Sequence, residues 1–317
     1  MYYLLEYVLK LSYKMLGVLL LAAPMVFAKV HVFSDVIAFG GLSYVTFRLI
    51  QMYVDNDKAA KPVALIDYVL FLVFPATLLI GPIDRLNRFK ANIDKGYENM
   101  DFASIIAGWQ IMLYGILQKY IVAEAIDRYW LANANEYNKD MFSILNNMYG
   151  YSIYLYFDFA GYSALAIGLA KMFGINVPDN FNNPFLALNP SDFWRRWQIT
   201  LGDWLKDYVF KPYYKWVSSM KNLKKYPLMR QNSGLFLTFF VMGLWNGHRW
   251  YYILSGCLFG VYSVVHNTYV YYSAKKGRDI AFGSLSPKLV RVLSVFIMFN
   301  MSCLALYVFS GRMHFLF

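Results

Sequence analysis

The chain alternates long apolar stretches with short polar or charged segments. Eight of these stretches come close to or exceed the roughly 20 residues that a helix needs to cross a bilayer core: residues 7–28, 32–53, 63–81, 103–123, 143–173, 234–254, 252–273 and 289–311. Polar residues lie inside some of them: Arg48, Asp67, Gln110 and Asp158. Polar side chains at membrane depth usually face a bundle interior or a water-filled cavity. The pattern therefore predicts an all-α integral membrane protein, polytopic, with a single membrane domain over residues 1–317.

Residues 176–230 depart from this pattern. A proline- and asparagine-rich loop comes first, and a basic loop ends the segment. Between them, residues 190–212 (PSDFWRRWQITLGDWLKDYVFKP) combine apolar residues at helical spacing with several charges. We expect one amphipathic helix that begins at Pro190 or Ser191, ends at Pro212, and lies in the interface or re-enters a protein-lined cavity. A peripheral membrane anchor without chemistry is the alternative.

The composition agrees with a membrane location. Hydrophobic residues make up 59% of the 317 positions and charged residues 15%, whereas soluble domains contain about 25% charged residues. The net charge of +11 comes from basic clusters between the apolar stretches, where they orient spans and attract anionic headgroups of the lipid bilayer. No nucleic-acid-binding motif accompanies this charge, so nucleic acid is not an expected partner. Cys257, Cys303 and the four histidines lack metal-ligand spacing, so no metal site is expected.

Four groups of residues resemble the signature segments of one membrane family. In chain order they are 41–47 (GLSYVTF) with Tyr53 and Asp55; Phe74 and Pro75 with 81–85 (GPIDR); 156–163 (YFDFAGYS) leading to 192–197 (DFWRRW); and 242–245 (MGLW). Together they make the chain similar to the DltB/AlgI branch of the membrane-bound O-acyltransferase (MBOAT) family. The Asp-Arg pair in GPIDR is typical of the D-alanyl transfer proteins of that branch.

The resemblance implies both a fold and an activity. Members of this family form a ring of helices around a central funnel that crosses the bilayer. In the D-alanyl branch the acyl donor is a thioester on the phosphopantetheine arm of a small carrier protein, and the membrane protein binds no cofactor of its own. The acceptor is teichoic acid, reached with the help of a membrane-anchored envelope partner. The resemblance therefore implies a multi-pass protein of the bacterial cytoplasmic membrane.

Two positions depart from the family pattern. The family has histidines in R-W-H-[IM]-[ST]-L and in G-x-W-H-G, and this chain has Gln198 and Asn246 at those places. Acyl transfer to a hydroxyl needs a proton acceptor and a group that stabilises the oxyanion. An amide can donate to an oxyanion but cannot accept a proton. His248 is a weak candidate for the missing base; an interfacial histidine beside Arg249 and Trp250 is the alternative.

Other residues of these motifs are candidates for substrate contact. The resemblance places several at the funnel: Trp194, Arg195, Arg196, Trp197, Asp203, Trp245 and Asp158. The two arginines present planar forks of donors, suited either to donor phosphates or to lipid headgroups. A carboxylate within an apolar stretch is costly unless it is paired, so Asp158 should face inward with a partner.

A few further residues have structural interpretations. Gly81, Pro82, Asp84 and Arg85 form either a local ion pair or cap, or a part of the funnel rim. We expect a salt bridge between Asp207 and Lys211, four residues apart, and a packing role for His266.

Several functions remain open on the sequence alone. The leading one is a membrane O-acyltransferase of bacterial envelope modification, which moves D-alanyl or a similar small acyl group to teichoic acid or another envelope hydroxyl. O-acetylation of alginate or another polysaccharide is a variant of it. A catalytically inactive scaffold is favoured by Gln198 and Asn246, and a small transporter is suggested only by polar residues within spans. The motif at Gly41 normally follows two or three more spans, so we expect a truncated or fragmentary chain, or a start further upstream.

Overall fold

All regular elements in the described part of the protein are helices. The computed structural model describes residues 16–26, 41–55, 64–134, 140–277 and 285–313. Its helices are α1 (Leu16–Val26), α2 (Leu42–Asp55), α3 (Leu65–Val73), α4 (Pro75–Leu78), α5 (Leu86–Asp94), α6 (Gly96–Asn99), α7 (Phe102–Leu131), α8 (Met141–Met172), α9 (Pro190–Trp194), α10 (Ile199–Leu205), α11 (Lys211–Ser219), α12 (Pro227–Asn246), α13 (Trp250–Lys276) and α14 (Pro287–Phe309). The predicted all-α class is confirmed.

Four helices in the described ranges are long and apolar enough to cross a membrane: α7, α8, α13 and α14. They coincide with the predicted spans 103–123, 143–173, 252–273 and 289–311, which confirms a multi-pass membrane protein. Two other predicted spans differ in outline. The stretch 63–81 contains the two short helices α3 and α4, and 234–254 is divided by residues 247–249. Parts of 7–28 and 32–53 lie outside the described residues.

The chain divides into two compact units. Unit 1 consists of the described residues up to Tyr114 together with Tyr162–Pro178, and unit 2 consists of Gly115–Gly161 and the described residues from Asp179 onward. Helices α7 and α8 contribute residues to both units. The single-domain organisation stays a prediction.

A buried arginine in unit 1 stabilises the break between α3 and α4. Pro75 has no N–H, so the carbonyl of Phe71 lacks the partner that a continuous helix would provide. Arg48 of α2, which is only 1% exposed, supplies it by donating from Nη1 to Phe71 O at 2.7 Å. Its Nη2 donates to Thr77 O at 2.7 Å. The arginine that interrupts a predicted span is therefore paired inside the protein through its two terminal nitrogens, as membrane burial favours.

Residues 81–85 form a buried turn in unit 1. Gly81 has a φ of 148°, and a Cβ there would lie 3.0 Å from the side chain of Ala166. Asp84 is 2% exposed and accepts from the backbone N–H of the next residue at 2.6 Å. It also pairs with Arg88 of α5 at 2.8 Å. The sequence allowed a local ion pair or a cap at Asp84 and Arg85. In the structure Asp84 contacts Arg85 through its backbone N–H and forms its ion pair with Arg88, while the N-cap of α5 has no side-chain hydrogen bond.

Helices α12, α13 and α14 pack antiparallel in unit 2. A Cβ added to Gly256 of α13 would lie 2.5 Å from Phe239 O of α12, so the absence of a side chain is what lets these two helices touch. Ser255 donates from Oγ to Ala305 O of α14 at 2.8 Å. Close backbone contact and a buried hydrogen bond thus hold the three helices together.

The prediction of one helix over residues 190–212 is wrong. After α9 a turn at residues 195–198 interrupts the helix, because Gln198 adopts the left-handed conformation, with φ 41° and ψ 53°. Pro212 does not end the helical segment either. It lies in the first turn of α11, where proline is tolerated, directly after the π-helical turn Lys206–Phe210.

Candidate active site

Gln198 and Asn246 line the same small cavity in unit 2. The cavity is small, with a volume of about 30 Å³. Aromatic rings supply much of the rest of its wall: Phe159, Trp194, Trp197, Tyr252, Phe259 and Phe309. The fold therefore brings together the two positions at which this chain has amides and the family pattern has histidines. We call this space the narrow cavity.

Asn180 holds the turn that carries Gln198. Its backbone oxygen accepts from the N–H of Ile199 at 3.0 Å. Its side-chain Oδ1 accepts from the N–H of Thr200 at 3.2 Å and from the Thr200 hydroxyl at 2.9 Å. A left-handed conformation costs a non-glycine residue about 1–3 kcal/mol, and these buried bonds offset that cost. Asn180 thus acts on the site through the backbone of Gln198.

Asn246 is the last residue of α12, and its Nδ2 donates to Met242 O at 2.9 Å. The chain then leaves the bundle through the extended Gly247 and reaches His248, whose side chain is exposed. Because α12 ends at Asn246, His248 lies in the loop before α13 and does not line the narrow cavity. The candidate base from the sequence is therefore placed away from the two amides.

A stack of aromatic rings fixes α9 and the following turn against α13. Phe193 lies between Trp197 and Phe259, with ring centroids 5.6 Å apart on each side and interplanar angles of 14° and 15°. Trp194 meets Phe259 edge-on at 4.9 Å. Aromatic pairs at such distances add about 0.5–1.5 kcal/mol beyond their burial. The wall of the narrow cavity is accordingly a packed and rigid part of unit 2.

A second cavity in unit 2, here called the wide cavity, has a volume of about 480 Å³ and shares Trp194 with the narrow one. Its polar and charged lining residues are Ser191, Arg195, Asp203, Lys206, Thr238, Ser263, His266 and Asn267. It also shares Asn267 and Val270 with a third, more open cavity of about 540 Å³ that reaches Lys275. His266, expected to be a packing residue, contacts the Tyr269 ring and also lines the wide cavity.

Asp192 anchors both arginines of the motif. It accepts from Arg196 Nε at 3.0 Å, from Arg195 at 3.4 Å and from the N–H of Leu188 at 3.0 Å. Burial alone would raise the pKa of Asp192, but the Leu188 N–H and the Arg196 side chain outweigh it and hold that pKa below its ordinary value of 3.8. The Arg195 side chain stays 70% exposed and lines the wide cavity, whereas Arg196 lines neither cavity.

The remaining candidates lie outside the two cavities. Asp158 faces inward, as expected, and pairs with Lys119 of α7. Trp245 has a buried indole nitrogen but lines neither cavity. The expected salt bridge between Asp207 and Lys211 is present at 2.6 Å. Of the funnel candidates, Trp194 and Trp197 line the narrow cavity, and Trp194, Arg195 and Asp203 line the wide one.

Comparison with known proteins decides the family. A protein-family model, described as MBOAT, membrane-bound O-acyltransferase family, matches residues 9–310 of the chain. The chain belongs to this family. Its relatives in this family include teichoic acid D-alanyltransferases. The one from Bacillus subtilis (strain 168) is 34% identical over 287 residues, which is 89% of this chain and 71% of the relative.

The second, from Streptococcus thermophilus, is 29% identical over 290 residues, which is 88% of this chain and 69% of the relative. A more distant similarity links the chain to a peptidoglycan O-acetyltransferase of Helicobacter pylori, which is 33% identical over 247 residues, or 75% of this chain and 43% of the relative. The resemblance inferred from the sequence motifs is thus confirmed at the level of the family and of its D-alanyl branch.

The roles of two residues of this family member could not be recognised from the sequence. Asn180 lies in the proline- and asparagine-rich loop, and nothing in its sequence context indicated that it would hold the Gln198 turn, because that role depends on a backbone conformation that the helical pattern of residues 190–212 hid. His266 looked like a packing residue because its neighbours are apolar and aromatic. The spacing of Phe259, Ser263 and His266 along α13 would have shown that they share one helix face.

Proposed function

We propose that this chain transfers D-alanyl, or a similarly small acyl group, from a carrier-protein thioester toward teichoic acid or another hydroxyl of the bacterial cell envelope. The observation that carries the proposal is the pairing of Gln198 with Asn246 in a narrow cavity that adjoins a wide one. The names of the relatives, teichoic acid D-alanyltransferases foremost, supply the chemistry. O-acetylation of an envelope polysaccharide is the second candidate, because one relative is a peptidoglycan O-acetyltransferase.

The distribution of charge supports an orientation in the membrane. Lys221, Lys224 and Lys225 precede α12, while Lys275 and Lys276 end α13, so basic residues gather at one end of this antiparallel pair. The positive-inside rule assigns such an end to the cytoplasm. The wide cavity approaches this end through the cavity at Lys275, and Asn246 lies at the opposite end of α12. We therefore place the protein in the bacterial cytoplasmic membrane, with the wide cavity opening toward the cytoplasm.

The wide cavity suits the acyl donor. Its 480 Å³ falls within the roughly 300–1,000 Å³ of ligand pockets in general. Arg195 and Lys206 on its wall offer positive charge to the phosphate of a phosphopantetheine arm. The carrier protein would dock on the cytoplasmic side, and a membrane-anchored partner would receive the acyl group on the outer side.

The amides define what the narrow cavity can do. Gln198 and Asn246 each carry an N–H₂ group that can donate to a developing oxyanion, and neither can take up a proton. Acyl transfer therefore requires a proton acceptor elsewhere in the chain. A scaffold without catalysis is the competing proposal, and the same two amides favour it.

A reconstitution experiment tests the proposal. The chain is expressed, with the donor carrier protein and its loading enzyme, in a host that lacks its own D-alanyl transfer protein, and the acyl esters of the envelope are released and identified. Thr238→Trp fills the wide cavity from α12, and Leu244→Trp adds the same bulk at an exposed position of that helix. We expect ester from the native chain and from Leu244→Trp, and little from Thr238→Trp.

The identity of the released group separates D-alanyl from acetyl transfer. If a well-expressed native chain yields no ester at all, the enzyme proposal fails and the scaffold remains.

A further inference from the structure

Helix α13 lines both cavities with a single face. Tyr252, Ser255 and Phe259 face the narrow cavity, and Ser263 and His266 face the wide one. Their spacing of three or four residues is that of one stripe along a helix. Since a helix rises about 1.5 Å per residue, His266 lies roughly 10 Å beyond Phe259 along the axis. The imidazole therefore belongs to the wide cavity and is remote from the two amides.

Ser263 and His266 form a pair with free polar atoms. Residues three apart on a helix have Cβ atoms about 5–6 Å from each other on one face. Within the described residues, neither side chain forms a hydrogen bond, and His266 makes only a tilted ring contact with Tyr269. Ser263 is 8% exposed. A serine that does not bond back to its own helix, beside an imidazole in a substrate-sized cavity, has the composition of an acylation site.

The surrounding charges complete this site. Asp203 and Lys206 line the wide cavity from α10 and the π-helical turn, and Arg195 lines it from the end of α9. These are the charged groups that share the cavity with the imidazole. An apo structure often shows a nucleophile and its base without their hydrogen bond, which tightens when substrate binds.

We propose that Ser263 is an acyl-accepting nucleophile and His266 its base, so that the chain forms an acyl-enzyme in the wide cavity. Ser263 Oγ attacks the carbonyl carbon of the thioester, the C–O bond forms and the C–S bond breaks. His266 takes the hydroxyl proton and returns it to the leaving thiolate, which gives an ester on Ser263 and a free thiol. An acceptor hydroxyl then displaces Ser263 with the same base. The nature of the donor, a pantetheine thioester, rests on the proposed function; the acyl-serine does not follow from the family.

The experiment uses the purified full chain in lipid vesicles with isotopically labelled S-(D-alanyl)pantetheine as the probe. Free thiol is followed with time, and acid-quenched protein is digested to locate the label. The native chain should release thiol and carry the label on the α13 peptide with Ser263. Ser263→Ala and His266→Gln should each lose the label and slow thiol release by about 100-fold or more, the scale of a lost base or nucleophile.

Two further variants control for folding and position. Ser263→Cys keeps a nucleophile and should carry the label as a hydroxylamine-sensitive thioester. Ser273→Ala removes another serine of α13 that lines none of the three cavities and should behave like the native chain. Thiol release that persists unchanged in Ser263→Ala, or label that stays in it, overturns the inference.

The result is independent of envelope transfer. Envelope ester formed equally by the native chain and Ser263→Ala would leave the proposed function standing and remove the acyl-enzyme. Label on Ser263 without any envelope ester would support the acyl-enzyme and contradict the proposed function. A native chain that neither takes up label nor releases thiol contradicts the acyl-enzyme.

Discussion

Replacing Asn180 with alanine tests how the site is built. The substitution removes the Oδ1 that accepts from the Thr200 N–H and hydroxyl at 3.2 and 2.9 Å, while the backbone bond from Ile199 to the Asn180 carbonyl remains. Asn180 and Thr200 are 5% and 6% exposed, so water does not replace the lost acceptor in the folded state. The perturbation therefore falls on the turn that keeps Gln198 left-handed.

The magnitude follows from these contacts. A buried donor left without its acceptor costs about 1–3 kcal/mol, and the two donors of Thr200 together give roughly 2–6 kcal/mol. A factor of ten in an equilibrium corresponds to about 1.4 kcal/mol, so local opening of the turn should become roughly 30- to 20,000-fold more frequent. The strain of the left-handed residue adds to this tendency.

Hydrogen–deuterium exchange in detergent or nanodiscs measures the effect directly. The peptide that contains Ile199 and Thr200 should exchange faster by that factor in Asn180→Ala, while peptides of α14 keep their native rates. Asn182→Ala is the matched control, because Asn182 is exposed and contacts the turn through its backbone N–H. Unchanged exchange around Thr200 in a folded Asn180→Ala protein would refute the conclusion that Asn180 holds the turn at Gln198.

The other predictions concern packing and charge. Arg48→Met should lower the midpoint of thermal unfolding in detergent far more than Arg291→Met. The first substitution leaves the buried carbonyls of Phe71 and Thr77 without their hydrogen-bond donor, whereas Arg291 lies at an exposed position. Equal effects of the two substitutions would contradict the capping role of Arg48. Gly256→Ala should destabilise the folded protein by about 1–3 kcal/mol through overpacking, since the new Cβ would lie 2.5 Å from a backbone oxygen. In Gly202→Ala the nearest contact of the new Cβ is at 3.3 Å, so thermal unfolding should show a smaller loss of stability for this variant. The pKa of Asp192 is lowered in the folded protein. Its carboxylate therefore contributes its full stabilisation above the pKa of the unfolded state, and this contribution is lost as the pH falls through the pKa of the folded state. Tryptophan fluorescence followed from neutral to acidic pH should show this loss, and Asp192→Asn should remove that acid transition.

The long apolar helices could be predicted from the sequence because their signal is local. Length and hydropathy alone locate α8 and α14, and an isolated carboxylate in an apolar stretch correctly indicated that Asp158 needs a partner. The same local logic failed at residues 190–212. Helical spacing there continued across Gln198, while the actual backbone is set by Asn180, a residue 18 positions earlier whose bonds to the turn no periodicity reveals.

The candidate site likewise has features that could be predicted from the sequence and features that depend on the fold. The motifs indicated that Gln198 and Asn246 mark the chemistry, and the fold brings them to one cavity. The position of His248 could not be judged from sequence, because it depends on where α12 ends. The role of His266 depended on which face of α13 borders a cavity, and that face is chosen by tertiary packing.

The size of the narrow cavity has a consequence for the cell's energy supply. A protein that crosses an energised membrane must not let ions run down the proton-motive force. The wide cavity has room for a column of water, whereas the cavity beside Gln198 and Asn246 has a volume of only about 30 Å³ and is walled in part by stacked aromatic rings. We expect this constriction to interrupt a column of water and so to limit ion leakage, and we expect a substitution that widens it to make cells leaky before it changes any ester.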